Sequence, residues 1–184
     1  PPGLVNDQKK YFQATHNVFV AHAKCVEIYK NLKQYGEIGI THVFNPAYSF
    51  DNKEENIAAT EHANYYDTYW YYDPILKGEY PEYVVELLKE KNLVPDWTTE
   101  ELELLKNTAD KNDFIGLNYY QPQRIIKNTD GQQLVASREN STGAPGNPSF
   151  DGFYKTVMME DKVYTKWGWE ISPQGFLDGL RMLK

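Results

Sequence analysis

Four groups of residues in this 184-residue chain have the types and spacing to do chemistry. His16 and His22 could ligate a metal, and Glu54-Glu55 and Glu100-Glu101 could act as paired carboxylates. Asn118-Tyr119-Tyr120 closes an apolar run with hydrogen-bonding groups, and Trp167 and Trp169 offer two indole faces. Spacing disposes of the first two groups. The histidines lie six residues apart, on different faces of a helix, whereas one face requires a separation of three or four. The glutamate pairs lie where helices should begin, and there a carboxylate favours the macrodipole and water. The other two groups remain. Asn118 and Tyr120, two apart on a strand, share a face, and amphipathic rings suit sugars or aromatic ligands, although packing accounts for most of the fifteen Tyr and four Trp.

The element that must position the first of these is Asp113 to Tyr120. Apart from Gly116 it is apolar from Phe114 until Asn118, which predicts a strand buried on both faces with its polar groups at the carboxyl end. A parallel barrel keeps its chemistry at that end. Upstream, helical periodicity from Asp7, an N-cap, to Tyr35 predicts one long helix stopped by Gly36. Ile38 to Phe44 reads as a second buried strand, ending at Asn45-Pro46-Ala47-Tyr48. A helix from about Lys53 to Tyr71, capped by Asp51 or Asn52, should be broken at Asp73-Pro74. A short helix from Glu82 to Lys91 should open on Pro81 as its first residue and stop at Asn92. Thr98 with Glu101 is a capping box for a helix running to about Asp110. This alternation points to a parallel sheet with helical crossovers.

After Tyr120 the chain turns rich in Gly, Pro, Asn and Ser. Arg124–Lys127 and Gln133–Ala136 suggest a hairpin through Thr129-Asp130-Gly131. Residues 141–148 form a loop that lacks the Gly-Lys-Ser/Thr of a phosphate cradle. Trp167 and Trp169 follow, then a turn at Pro173-Gln174-Gly175 and an amphipathic helix through Phe176, Leu180 and Leu183.

A net charge of −7 with scattered lysines argues against nucleic acid and anionic membranes as partners. With Cys25 as the single cysteine, no disulfide framework can form, and a cytoplasmic setting is expected. No apolar run reaches the length of a membrane span, and Pro1-Pro2-Gly3 lacks the basic and apolar regions of a signal peptide. No metal or other cofactor is implied.

Five stretches, in order, resemble the middle of glycoside hydrolase family 1, the (β/α)8-barrel β-glucosidases and 6-phospho-β-glucosidases. They are Gln13-Ala14-Thr15-His16-Asn17; Gly36 to Thr41; Asp73-Pro74-Ile75 with Gly78-Glu79-Tyr80-Pro81; Phe114 to Tyr120; and Trp167 to Ile171 before Pro173 and Gly175. The resemblance makes residues 1–184 the central part of one TIM-barrel domain, an α/β fold. Ile38–Phe44 becomes the fifth strand and Phe114–Tyr120 the sixth, and the chain runs up to the seventh.

It implies a retaining hydrolase of β-glucosides, most similar to the bacterial 6-phospho enzymes. The family's Thr-Phe-Asn-Glu-Pro and Ile/Val-Thr-Glu-Asn-Gly motifs, which carry the acid/base and nucleophilic glutamates, do not occur here, so neither catalytic glutamate is in this chain and the chain alone should be inactive. A retaining mechanism needs both carboxyls about 5 to 5.5 Å apart. By the same resemblance Tyr120 bonds the nucleophile, Asn118 shares its polar cluster and Tyr119 points to the helices. Trp169, and less directly Trp167, form the platform for a leaving group. The alternatives are a glycosidase of unphosphorylated glucosides or galactosides, and a noncatalytic, truncated sugar-binding or interaction module. Two barrel strands also leave open sheet edges, so pairing with the rest of the barrel or self-association is expected.

Overall fold

The computed structural model describes residues 7–129, 149–150 and 152–183. They fall into a helical unit, Asp7–Val43 with Tyr69–Asn118, and a sheet unit built mainly from Phe44–Thr68 and Tyr119–Lys184. No described helix is long and apolar enough to cross a membrane.

The helical unit is laid on α1, Gln8–Asn31. The Asp7 carboxylate accepts the Lys10 amide at 3.1 Å and so satisfies one of the orphan donors of the first turn. The buried stripe is Phe12, His16, Phe19, Val20, Ala23 and Val26, three and four residues apart, as a helix with one packed face requires. The helix stops before the expected Gly36. Lys33 takes a left-handed conformation at φ 51° and ends the helical run, while Gly36, at φ 117°, serves the loop that follows.

Against α1 pack α3 (Trp70–Leu76) and α5 (Thr99–Thr108). Two of the expected signals act as read. Thr98 Oγ1 accepts the Glu101 amide while the Glu101 carboxylate accepts the Thr98 amide, a complete capping box. Asn92, at φ 55°, ends α4 (Glu82–Glu90), although Pro81 is the N-cap of that helix and not its first residue. The expected break at Asp73-Pro74 is absent. Pro74 lies inside α3, which runs on to Leu76. A proline removes its own donor and crowds the carbonyl four residues back; here that residue is Trp70, the first of α3, where the ladder is already interrupted by a π-turn, Tyr65–Tyr69. The helix expected from Lys53 to Tyr71 is therefore α2 (Glu54–Asn64), the π-turn and α3 in succession. The N-cap of α2 is Lys53, not the expected Asp51 or Asn52; Asp51 lies two residues before it and accepts from the Lys53 amide and the Asn56 side chain.

Strands β1 (Gly39–Phe44) and β3 (Phe114–Tyr119) are hydrogen-bonded neighbours. Both approach closely enough to demand glycine: a Cβ at Gly39 would strike the Phe114 carbonyl, and one at Gly116 would strike Thr41 Oγ1. Asp113 aligns their starts, accepting from the Ile38 amide at 2.8 Å and pairing with Lys30 of α1 at 2.6 Å.

Neither strand is buried on both faces, contrary to the apolar pattern. Val43 is 40% and Phe114 46% exposed, and Asn118 is exposed, while His42 lies against Tyr71 and Tyr72 of the α3 layer. A two-stranded sheet packs one face on its helices; the other is covered only where further strands close over it. Among the described residues no sheet closes into a barrel.

The sheet unit holds a four-stranded sheet in the order β2-β4-β6-β5: Ala47–Ser49, Gln123–Lys127, Tyr154–Thr156 and Ser149–Phe150. Strand β4 runs parallel to β2, with Ala47 opposite Gln123, and antiparallel to β6, with Ile125 opposite Thr156. Arg124–Lys127 is thus a strand as expected. Its expected hairpin partner, residues 133–136, and the loop 141–148 lie outside the described residues. Helix α2 covers the sheet. The expected turn at Pro173-Gln174-Gly175 is instead the first turn of α6 (Pro173–Met182), with Pro173 at the first position and Ser172 Oγ accepting the Gly175 amide.

Candidate functional site

The Trp167–Trp169 stretch becomes a tight antiparallel turn. Tyr164 pairs with Glu170, the Thr165 amide donates to the Trp169 carbonyl at 2.8 Å, and the Gly168 amide donates to the Thr165 carbonyl at 2.9 Å. Gly168 takes φ 78°, a conformation that favours glycine. The Trp169 amide also donates to Thr165 Oγ1 at 3.1 Å. Both backbone groups of Trp169 are thereby held.

Three rings line up on this turn. Tyr120, the first residue after β3, has its ring centroid 5.1 Å from that of Trp169, and Trp169 stacks on Trp167 at 6.4 Å with planes 27° apart. Trp169 is half-buried, Tyr120 is 50% exposed and Trp167 is 78% exposed. Their free faces are those of a surface that can accept a flat apolar group.

The neighbour between two of these residues in the chain does something else. Tyr119 points to α6, as expected: its hydroxyl donates to the Ser172 carbonyl at 2.7 Å and its ring packs on Phe176. Burial raises its pKa. Asn118, the penultimate residue of β3, is exposed.

Glu170, the residue after Trp169, belongs to a charged pair that the pattern of residue types did not single out. Arg124 of β4 donates through Nε and Nη2 to the two carboxylate oxygens of Glu170, at 2.9 and 2.6 Å, a fork-to-fork contact. The Glu170 side chain is 4% exposed and that of Arg124 17%. This hydrogen bond raises the Arg124 pKa further above its usual value. The guanidinium also lies over the Tyr48 ring, 4.8 Å from its centroid, and the Tyr48 hydroxyl donates to Asp178 of α6 at 2.8 Å. Burial, and then that bond, raise the Tyr48 pKa, while the same bond lowers that of Asp178. Gln121 accepts the Glu170 amide at 3.1 Å. Glu170 stood in a quoted stretch beside Trp169, but Arg124 is separated from it by 46 residues, and no local spacing links them.

The remaining candidates are structural. His16 is fully buried, its Nδ1 2.7 Å from the Tyr80 hydroxyl and its Nε2 3.4 Å from Glu101. His22 meets Asn112 instead. Glu54-Glu55 and Glu100-Glu101 occupy the first turns of α2 and α5. Asp67 is half-buried, its carboxylate accepting from Gln123 and from the Tyr154 hydroxyl, each at 3.0 Å, and desolvation raises its pKa to about 6. A separate apolar cleft of about 290 Å³ lies in the helical unit between α1 and β1, lined by Tyr11, Phe19, Ile40, His42 and Tyr71. Burial lowers the His42 pKa to about 4, so the cleft is uncharged near neutral pH.

Known proteins resemble this chain over nearly all of its length. Aryl-phospho-β-D-glucosidase BglC of Bacillus subtilis is 32% identical over 187 residues, which is all of this chain but 38% of that protein. A 6-phospho-β-galactosidase of Leptotrichia buccalis is 32% identical over 191 residues, 40% of its length. Among solved structures, a family 1 β-glucosidase of Thermotoga maritima superposes with a TM-score of 0.73 at 28% identity, covering 97% of this chain and 35% of that one. The chain therefore spans about two fifths of the relatives it matches, and its fold is part of their TIM barrel. The family model for glycosyl hydrolase family 1 matches residues 1–184, and the chain belongs to that family.

Proposed function

We propose that the protein to which this chain belongs is a retaining hydrolase of 6-phospho-β-glucosides, and that residues 1–184 supply the leaving-group side of its site. The observation that carries this reading is the wall of Tyr120, Trp169 and Trp167 just past the carboxyl end of β3, the end at which barrel enzymes work. Trp169 stacks the leaving group, Trp167 extends the platform, and Tyr120 donates from its hydroxyl to the nucleophilic carboxylate, with Asn118 in the same polar cluster. The glutamates that protonate the leaving oxygen and attack the anomeric carbon come from the flanking parts of the barrel. The 184-residue chain alone is then inactive, and the uncovered face of β1 and β3 pairs with those parts or with itself. A cytoplasmic setting is consistent with a lone, exposed Cys25.

The phosphate preference is supported by the names of the relatives, two of which act on phosphorylated glycosides. A second reading, hydrolysis of plain β-glucosides, is favoured by the likeness to the Thermotoga β-glucosidase. Hydrolysis of aryl β-glucosides with and without a 6-phosphate, measured on the full-length protein, separates them. Faster turnover of the phosphorylated substrate is expected, and a preference for the plain sugar overturns the leading reading.

A further inference from the structure

The rings of the wall and the groups that fasten them come from the same two short segments. Residues 120–124 supply the Tyr120 ring and, one and four residues on, the Gln121 and Arg124 side chains. Residues 169–170 supply the Trp169 ring and, in the next position, the backbone amide and carboxylate of Glu170 that those side chains hold. Three hydrogen bonds thus join the residue next to one ring to the segment that carries the other, the ring centroids lying 5.1 Å apart with planes at 51°.

We propose that Arg124 and Glu170 are positioning residues: their forked ion pair fixes the Trp169 indole against Tyr120 and so sets the shape of the surface that receives an aryl or sugar leaving group. The last clause rests on the proposed function; the positioning itself does not. The geometry favours a positioning role over a purely stabilising one on three counts. The guanidinium uses both Nε and Nη2 on Glu170, so the carboxylate plane is fixed as well as its distance. Stacking on Tyr48 sets the guanidinium plane in turn, and Tyr48 is tied to Asp178. Among the described contacts the pair does not touch the rings' free faces, so it shapes the wall without forming part of it. Lysine at position 124 would keep the charge and lose the fork.

The test uses the four tryptophans as reporters. With 5-fluorotryptophan incorporated, the chain should give four ¹⁹F signals, from Trp70, Trp97, Trp167 and Trp169. In Arg124→Lys and in Glu170→Gln, the Trp167 and Trp169 signals are expected to shift or broaden while those of Trp70 and Trp97, which belong to the helical unit, keep their positions. Those two signals also show that each variant is folded. Unmoved Trp167 and Trp169 signals in a folded Arg124→Lys variant overturn the proposal. Gln121→Ala, which removes one of the three hydrogen bonds and leaves the charges paired, should produce a smaller shift of the same two signals; a shift of all four would point to general loosening and count against positioning. Titration of the full-length protein with an aryl β-glucoside then addresses the wall itself: a Kd raised about tenfold in Arg124→Lys supports the leaving-group role. If no signal of the full-length protein responds to the glucoside, the functional reading fails while the positioning result stands.

Discussion

Trp70 and Trp167 are the same residue type in opposite circumstances. Trp70 is fully buried in the helical unit, edge-on to Phe12 at 5.1 Å and against Tyr80 at 4.6 Å, with its indole N–H donated to Thr15 Oγ1 at 3.0 Å. Trp167 is stacked on one neighbour and otherwise open. Two acids of the sheet unit repeat the contrast: Glu170 has a forked cation, Asp67 two neutral donors. An aromatic ring or a carboxylate becomes core or surface, stabiliser or burden, according to what its backbone is fastened to.

Four substitutions put numbers on that contrast. The largest effect is expected from Trp70→Ala, which should lower unfolding free energy by about 4 kcal/mol through lost burial and an unfilled cavity, read from a urea transition. Glu170→Ala should cost about 3 kcal/mol because it strands a buried guanidinium. Its loss should persist in 0.5 M salt, since a buried pair is screened far less than a surface one; a salt-sensitive loss would place the pair in solvent.

Asp67→Asn should show the opposite sense. A carboxyl whose folded pKa is about 6, above its unfolded value of 3.8, holds its proton longer when folded. Stability is therefore lost as pH rises from about 4 to about 6, by about 3 kcal/mol for a shift of roughly two units. The difference between wild type and Asp67→Asn should follow that window, with the variant relatively more stable at pH 7 than at pH 4. A difference independent of pH would mean that the carboxylate is solvated. The smallest effect belongs to Trp167→Ala, within about 0.5 kcal/mol in stability, while weakening binding of an aryl glucoside to the full-length enzyme. A large stability loss there would erase the distinction from Trp70.

Much of the architecture could be read from local patterns. The Asp7 cap, the Thr98–Glu101 capping box, the stop at Asn92 and both barrel strands depend on residues within a few positions of one another, and each formed near the expected place. The Tyr65–Tyr69 π-turn and the tolerance of Pro74 were not visible, because both depend on how a helix ladder is packed and interrupted. The burial of β1 and β3 was overestimated for a related reason. An apolar run reports what a strand would bury in a closed sheet, and these two meet only their helices on one face.

The sequence by itself determined where most of the helices and strands lie, and that Asn118 and Tyr120 come at the carboxyl end of β3. Periodicity and capping are local, and the family's motifs are strings. The tertiary structure alone decided that Arg124 meets Glu170, that its guanidinium lies over the Tyr48 ring, and that the Trp169 ring lies beside that of Tyr120. Those contacts join segments tens of residues apart, and the free energy of burying a charge depends on which partner the fold delivers to it.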